Sequence, residues 1–593
     1  MAAFFVFICI FTKILRNMGK VTVKFVQQNY RKREEMIPMR DGVRLYTAVY
    51  EPLAGEPRPV IMIRTPFPLN PYGKTFTRDL RTFMSHFTEH RYIIVFQNVR
   101  GRFMSEGDFE DVRPYSPDTI NEATDTYDTI QWLIDNLNTN GSVGVKGMSY
   151  PGFYATMASL SGHPALKAVS PQAPVTDWFM GDDAHICGIP QLPLYPFGAS
   201  FFKPRPKLTG RWPAPVVPLP EGDLYDAFLE IGNRPFEPLR DKLPFIDQML
   251  QHPDYDAFWQ SRNAASNLKG KLPPFLIVAG FYDAEDCYGP FEVYRTLKAQ
   301  APETEAFLCA GPWYHGAWKH SWYSFLGDVH FTEWSAEHFR EWIEFPFFSY
   351  YLEGKGSLPS RVSILPSGET MAAGGKHTVN SRPGWEYMES WPPAGREQWL
   401  FLSEGNKLTE EPPRKVLEWS FASDPARPVP YTGGLLEHFS REAFVADQRF
   451  AARRTDVLTF SGPLIKEAVK VEGSVSVNLW LSVDRPDADI VVKLIDRRPD
   501  GYQLPVRFQA MPLRYRDSFE HPQPAVPGKL YHLGIRLNDI AHVFMPGHRI
   551  MLQIQGSMFP LLALPQEKKP VKISLASMNS AECFVSIPVC KNL

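Results

Sequence analysis

Short apolar runs alternate with helix-spaced segments in the first third of the chain, and this alternation constrains the fold more than any other feature. The runs 60–63 and 92–96 are rich in β-branched residues, which is typical of strands buried on both faces of a parallel sheet. Within 125–138, apolar residues recur at helical spacing behind acidic residues. Runs at 275–278 and 306–308 supply later strands. The pattern predicts a doubly wound α/β domain.

Two later regions break the alternation. Residues 178–268 are rich in proline and aromatic residues, and their apolar content favours packed helices that cover the sheet over a structureless linker. Alternating runs such as 475–481 and 549–554, separated by turn signals, predict an all-β sandwich or jelly roll. We therefore expect an α/β domain at 31–177 and 269–384, a helical cap at 178–268 and a β jelly-roll domain at 385–593.

Composition narrows the classes of function. A chain of 593 residues is too long for one hydrophobic core. Its 63 basic and 65 acidic residues give a net charge of −2 without a basic stripe, so no nucleic-acid partner is expected. The spacing of its 6 cysteines fits neither a zinc site nor a disulfide framework. No metal or organic cofactor is expected.

The N-terminus allows two interpretations. An apolar run at 2–11 is too short to span a bilayer, which takes about 20 residues, so no stable membrane span is expected. It is similar to the apolar core of a signal peptide, but no basic residue precedes it and no clear cleavage site follows. If residues 1–17 act in export, the protein is periplasmic or secreted. Otherwise 1–30 is an arm of a cytoplasmic protein, with Met18 as an alternative start.

A hexapeptide at 147–152, Gly-Met-Ser-Tyr-Pro-Gly, follows a predicted strand and opens a predicted helix. This is the context of a nucleophile elbow, in which a serine sits on a tight strand-to-helix turn between small neighbours. The helix N-terminus and the backbone N–H of Tyr150 can face a developing oxyanion. Ser149 is therefore the candidate nucleophile.

A serine hydroxyl needs a base, and in this fold the chain order is serine, acid, histidine. His315 directly follows the predicted strand 306–310, and Asp283 ends the strand before it. The pattern predicts that Ser149 attacks, His315 carries the proton and Asp283 orients the imidazole. Asp283 could instead be a helix N-cap. The other histidines after residue 279 and before the β domain lie in an aromatic-rich region or a loop: His320, His330, His338 and His377.

Several motifs together resemble the CocE/NonD hydrolases, the family that contains cocaine esterase, X-Pro dipeptidyl peptidases and α-amino acid ester hydrolases. The resemblance extends from about residue 30 to about residue 565 and implies an α/β-hydrolase domain, a helical cap and a galactose-binding-like jelly roll. The motifs are Met-Ile-Pro-Met-Arg-Asp-Gly-Val at 36–43, Arg-Thr-Pro at 64–66, Val-Arg-Gly-Arg-Phe-Met-Ser-Glu-Gly at 99–107, Gly-x-Ser-Tyr-x-Gly at 147–152 and Gly-His-Arg-Ile at 547–550.

Within this family the chain is most similar to the α-amino acid ester hydrolases, which bind the substrate's α-ammonium group with three carboxylates. The matching positions are Asp183, Glu285 and Asp286. Clustered carboxylates in a partly desolvated pocket suit a cationic amine, and crowding raises the pKa of some of them until the cation binds. The alternative is that these residues only begin helices.

Two positions depart from the family's pattern. The resemblance implies a tyrosine after Arg-Thr-Pro, with its hydroxyl as the second oxyanion donor, but the residue is Phe67. Loss of such a donor costs on the order of a hundredfold in rate. Tyr72 is a candidate substitute. Asn98 stands where aspartate is usual, and we expect it to contact Arg100.

These features predict a serine acyl hydrolase that acts on small esters or amides, with preference for α-amino acid acyl groups, through an acyl-Ser149 intermediate. Water, or an amine such as a β-lactam nucleus, would release the acyl group; the second route comes from the resemblance. The alternatives are an X-Pro dipeptidyl peptidase, a glutaryl-amide acylase, or a ligand- or glycan-binding protein weakened in catalysis by Phe67. The expected partner is a small-molecule substrate, and a homo-oligomer is left open.

Overall fold

The computed structural model describes residues 21–53, 55–205, 207–320, 325–331, 334–368, 372–373, 384–578 and 581–590. The candidate export segment 1–17 and the loop histidine His377 lie outside these residues. Among the described residues, no helix combines the length and apolar character needed to cross a membrane.

A ten-stranded sheet organises the N-terminal part of the described chain. Its central strands pair in parallel, and antiparallel strands close both edges. The strands predicted from the apolar runs are present and buried, as expected. In spatial order the strands are Tyr30–Pro38, Arg44–Pro52, Ile93–Asn98, Arg58–Thr65, Thr139–Ser149, Leu166–Pro174, Phe275–Gly280, Ala306–Gly311, Val362–Ile364 and Glu386–Met388.

Helices pack against this sheet. The predicted helix at 125–138 is observed as Glu122–Asn136, and it begins at Asn121, whose side chain accepts hydrogen bonds from two backbone N–H groups of the first turn. Ile130 and Leu133 on its apolar stripe are buried. Outside the cap and the β domain, the other α-helices among the described residues are Val23–Asn29, Ser85–Glu89, Tyr150–Ala158, Tyr288–Gln300, Ser335–His338 and Phe345–Glu353, and a π-helix spans Phe339–Glu344.

The inserted segment forms packed helices, as its apolar content predicts. Phe228, Phe245 and Trp259 are buried, and they belong to one hydrophobic cluster with residues of the β domain. The cap is therefore held between the sheet and the β domain. Its α-helices among the described residues are Leu194–Phe201, Leu224–Ile231, Pro244–Gln251 and Ala257–Arg262.

The C-terminal part is an all-β domain whose described strands form a thirteen-stranded array. The strand Ser476–Val483 alternates between buried and partly exposed side chains, as its sequence predicts. The edge strand Glu386–Met388 pairs with the α/β sheet, so this sheet continues past the predicted boundary at 384. The β-domain strands are Gly395–Ser403, Lys407–Thr409, Leu417–Ser423, Val457–Ser461, Val469–Gly473, Ser476–Val483, Asp489–Arg497, Gln503–Pro512, Tyr531–Arg536, Ile540–Phe544, Arg549–Gln555, Val571–Ser577 and Phe584–Cys590.

Lys493 is a buried charge inside the β domain. Its side chain is 1% exposed, and its Nζ donates a hydrogen bond to Gln448 Oε1 at 2.9 Å. Burial lowers the pKa of Lys493 from 10.5 to about 7, because the ammonium form is poorly solvated there.

We expect Lys493→Met to raise the melting temperature at pH 6 and to lose this advantage by pH 10. The folded lysine deprotonates near pH 7 and the unfolded one near pH 10.5, so the wild type gains stability as pH rises between these values. The gain at pH 6 should be about 1–3 kcal/mol. Thermal unfolding followed by circular dichroism measures it. The exposed control Lys466→Met should show no such trend, and equal effects of both variants would contradict the prediction.

Candidate functional site

Ser149 occupies a strained position between a strand and a helix. It ends the strand Thr139–Ser149, and the helix Tyr150–Ala158 begins at the next residue. Its φ of 68° is in the left-handed region, which costs a non-glycine residue roughly 1–3 kcal/mol. Such strain persists only where the surrounding structure enforces it, and in this fold it presents a serine side chain at the top of the sheet.

The two glycines of the hexapeptide are required by close packing around this turn. A Cβ on Gly147 would overlap the backbone carbonyl of Pro151. A Cβ on Gly152 would lie 2.7 Å from the Cα of Pro174, closer than side-chain carbons approach one another. The second glycine, one residue later than usual, therefore has its own steric reason.

His315 and Asp283 meet at the carboxyl end of the sheet. They follow the neighbouring parallel strands Ala306–Gly311 and Phe275–Gly280, so their loops lie side by side. The Nδ1 atom of His315 is 2.8 Å from Asp283 Oδ2 and 3.0 Å from Asp283 Oδ1. The Asp283 side chain is buried, and this contact is what an orienting carboxylate provides to a histidine base.

Asp283 is not the N-cap of the following helix, which begins at Tyr288 after Cys287, but its carboxylate does accept hydrogen bonds from the loop between them. Its Oδ1 accepts hydrogen bonds from the backbone N–H groups of Glu285 and Asp286, at 2.9 and 3.0 Å. These bonds fix the carboxylate that contacts His315. Asp283 therefore contacts His315 and the backbone of its own loop at the same time.

Ser149 and His315 line the same cavity of about 460 Å³. Within the described part of the chain, no hydrogen bond joins the serine hydroxyl to the imidazole. The Nε2 atom of His315 lies instead 3.5 Å from Glu285 Oε2. A productive proton transfer needs the imidazole Nε2 free of this contact.

The three predicted amine-binding carboxylates are close enough to interact electrostatically, and Glu285 lines this cavity. The backbone N–H of Asp183 donates to the carbonyl of Glu285 at 3.2 Å, which ties the start of the cap to the loop after Asp283. Asp286 is fully buried, and neither of its carboxylate oxygens has a hydrogen-bond partner among the described residues. Glu285 faces the cavity with 53% of its side chain exposed.

Crowding changes the protonation of this cluster in the predicted direction. Burial, with the neighbouring charge of Glu285, raises the pKa of Asp183 to about 7. Burial and the charge of Asp183 also raise the pKa of Asp286. Burial opposes a charge on His315, but the charges of Asp283 and Glu285 outweigh it and raise the pKa to about 10. The carboxylates of the site therefore favour a positive charge next to them.

Asp182 is a supporting residue that the sequence pattern did not reveal. Its Oδ2 accepts backbone hydrogen bonds from Thr176 and Asp177 at 2.9 and 3.0 Å, and its Oδ1 accepts one from Gly289 at 2.9 Å. Both carboxylate oxygens accept hydrogen bonds, so Asp182 links the loop before Asp183 to the helix that follows Asp286.

The oxyanion side of the site retains one predicted donor. Tyr150 is the first residue of the helix after Ser149, so its backbone N–H is free of an intrahelical partner. Phe67 lines the cavity beside Ser149 and packs against Phe201, with 5.6 Å between ring centroids. A phenylalanine ring offers no hydroxyl to an oxyanion.

Tyr72 does not take the place of the missing hydroxyl. Its hydroxyl accepts the backbone N–H of Leu69 at 3.3 Å, and its ring packs against Tyr46 at 5.4 Å. It is absent from the described residues that line the two cavities at Ser149. The suggested substitution is therefore unsupported by the geometry.

Asn98 has a role different from the predicted contact with Arg100. Its Nδ2 donates to the Phe67 carbonyl at 2.7 Å, whereas Arg100 pairs with Asp41 and Asp125. The predicted contact was wrong because the carboxylates of Asp41 and Asp125 bind the Arg100 guanidinium and the Phe67 carbonyl binds the Asn98 amide. Asn98 thus fixes the segment next to Ser149.

A second cavity of about 530 Å³ opens from Ser149 toward the cap and the β domain. Trp178 and Asp183 line it from the cap, and Tyr431, Arg441 and Phe444 line it from the β domain. Arg441 and Phe444 lie in the short 3₁₀-helix Arg441–Val445, and Tyr431 lies in a loop. Neither segment carries a recognisable motif, so only the tertiary contact reveals these residues.

Comparison with known proteins covers both parts of the chain. A profile of the X-Pro dipeptidyl-peptidase (S15 family) matches residues 41–317. A profile of the X-Pro dipeptidyl-peptidase C-terminal non-catalytic domain matches residues 360–583. Cocaine esterase of Rhodococcus sp. (strain MB1 Bresler) is 30% identical over 555 residues, which cover 88% of this chain and 90% of the esterase.

Two solved structures superpose on nearly the whole length of this chain. An aminopeptidase from a marine sediment Thaumarchaeota archaeon superposes with a TM-score of 0.85 at 32% identity, covering 96% of this chain and 98% of its own. An α-amino acid ester hydrolase superposes with a TM-score of 0.84, also at 32% identity, covering 97% and 99%. The fold predicted from the sequence is confirmed: an α/β-hydrolase domain with an inserted cap and a β domain.

We expect Asp182→Asn and Asp183→Asn to have opposite effects on stability. An amide at 182 places an NH₂ group against backbone donors and should cost about 1–3 kcal/mol. The folded Asp183 carboxyl ionises near pH 7, against 3.8 for an ordinary aspartate. The wild type therefore loses stability as the pH rises from 3.8 to 7. Asp183→Asn should therefore be more stable than the wild type at pH 8 and not at pH 4. Melting temperatures at both pH values test this, and a stable Asp182→Asn protein would contradict it.

Proposed function

Because the chain belongs to the CocE/NonD family of serine hydrolases, we propose that it hydrolyses small esters or amides whose acyl group carries an α-ammonium. The reaction proceeds through an acyl intermediate on Ser149. The observation that carries this proposal is that Asp183 and Glu285 line the cavity at Ser149, while the buried Asp286 carboxylate interacts with both and has no hydrogen bond among the described residues.

The steps follow from the positions of the side chains. The hydroxyl of Ser149 attacks the scissile carbonyl while Nε2 of His315 accepts its proton. Asp283 holds Nδ1 and stabilises the imidazolium that forms. The imidazolium then donates its proton to the departing alcohol or amine. Water attacks the acyl-serine by the same route in reverse, or an amine such as a β-lactam nucleus takes the acyl group.

Substrate selection follows from charge. An ammonium next to the scissile carbonyl offsets the repulsion between Asp183, Glu285 and Asp286. A glutaryl group is anionic and would be repelled by the same carboxylates, which argues against a glutaryl-amide acylase. An X-Pro dipeptidyl peptidase also binds an ammonium, and similarity to the archaeal aminopeptidase makes amides the second substrates to test.

The first experiment compares phenylglycine methyl ester, phenylglycine amide and a glutaryl amide, alongside labelling with a fluorophosphonate. We expect the ester to be hydrolysed most rapidly, the glutaryl amide to be inert and the label to attach to Ser149. The Ser149→Ala variant should lose labelling and all measurable turnover. A preference for the glutaryl amide would overturn the substrate assignment. Absence of both labelling and turnover in the wild type would favour a protein that only binds its ligand.

A second prediction concerns the oxyanion. Phe67→Tyr places a hydroxyl where the family has one. Because the Tyr150 backbone N–H is the one oxyanion donor identified in the wild type, we expect kcat for phenylglycine methyl ester to rise by roughly tenfold or more. Steady-state kinetics measure the change, and Tyr72→Phe is the control because Tyr72 lies outside both cavities. An unchanged kcat in Phe67→Tyr would mean that another group already completes the site.

A further inference from the structure

His315 lies between carboxylates on both edges of its ring. Its Nδ1 is 2.8 Å from Asp283 Oδ2, and its Nε2 is 3.5 Å from Glu285 Oε2. Only 12% of the side chain is exposed. Carboxylate oxygens near both ring nitrogens favour the doubly protonated imidazolium form.

The other charges around His315 do not cancel this arrangement. Asp286 Oδ2 lies 4.0 Å from Nδ1, and Asp183 adds negative charge from the cap. On the positive side, Lys319 lines the cavity that holds His315. Arg441 of the β domain stacks on the Tyr314 ring with its guanidinium 3.9 Å from the ring centroid. The carboxylates outweigh burial, and the pKa of His315 rises to about 10.

We propose that Glu285 is a positioning residue that holds the Nε2 proton of His315 while the site is empty and releases it when a substrate ammonium arrives. This inference rests on the proposed function, and it adds that the amine is needed for turnover as well as for binding. Glu285 suits the task because half of its side chain is exposed to the cavity, so an entering cation can reach it.

The Nε2 proton of His315 moves in two stages. In the empty site, Nε2–H of His315 faces Glu285. A bound ammonium donates its own N–H groups to Glu285 and its neighbours, which removes the negative charge that stabilised the imidazolium. The Nε2 proton then leaves to solvent, and the freed lone pair accepts the hydroxyl proton of Ser149. An ester without an amine leaves His315 protonated at neutral pH.

The test compares phenylglycine methyl ester with methyl phenylacetate, which has the same acyl frame without the amine, between pH 6 and pH 10. For the wild type we expect kcat for methyl phenylacetate to climb toward pH 10, because the base is free only above its raised pKa. For the amine ester, kcat should already be level near pH 8. The two esters should therefore differ in kcat at pH 7 and much less at pH 10.

The Glu285→Gln variant supplies the second measurement. It should raise kcat for methyl phenylacetate at pH 7 by about tenfold and move the midpoint of its pH profile at least one unit lower, since a tenfold change corresponds to one pH unit. It should also raise KM for the amine ester. Glu292→Gln is the matched control, because Glu292 lies on the following helix and contacts Arg295.

The outcomes separate the two proposals. If the amine ester is preferred through KM alone, with the same kcat profile for both esters, the proposed role of Glu285 is wrong and the substrate assignment stands. If Glu285→Gln lowers kcat for methyl phenylacetate without moving the midpoint of the pH profile, the proposed role of Glu285 is also wrong. The wild-type profiles decide the question even if this variant fails to fold. No preference for the amine ester would overturn both proposals.

Discussion

The left-handed backbone of Ser149 is the constraint on which the site depends. Strand Thr139–Ser149 must end, turn and become a helix within one residue, and this is possible because Gly147 and Gly152 let the chain pass without side-chain collision. The parallel sheet then decides which residues can meet the serine. Loops at the carboxyl ends of neighbouring strands lie next to it, and Asp283 and His315 lie on two such loops.

The site is assembled from parts of the chain that are far apart in sequence. The cap supplies Asp183, the sheet supplies Asp283 and His315, and the β domain supplies Arg441. A further link comes from Arg507 of the β domain, whose guanidinium donates to the carbonyl of Phe281 two residues before Asp283. The β domain therefore lines the substrate cavity and also holds the loop that orients the histidine, which gives both domains a part in the chemistry.

Electrostatic repulsion among the carboxylates is the main physical property of the assembled site. Bringing Asp183, Glu285 and Asp286 together in a confined space disfavours their ionised forms, and the imidazole of His315 becomes the nearest cation available to them. Under the proposed function, a substrate ammonium relieves this repulsion. Recognition of an amine and control of the base can thus arise from the same carboxylates, without any additional group.

Periodic patterns and chain order in the sequence determined the buried strands, the helix before the elbow, the serine and the two loops that bear Asp283 and His315, because these depend on local burial and on the fixed direction of a parallel sheet. Side-chain direction depended on tertiary structure. The Asn98 side chain bonds to the Phe67 carbonyl, and the Tyr72 hydroxyl bonds to the backbone of Leu69. The Glu285 contact with His315 and the β-domain wall of the cavity were also decided only by folding. Such contacts join residues distant in sequence, and no local pattern fixes the geometry between them.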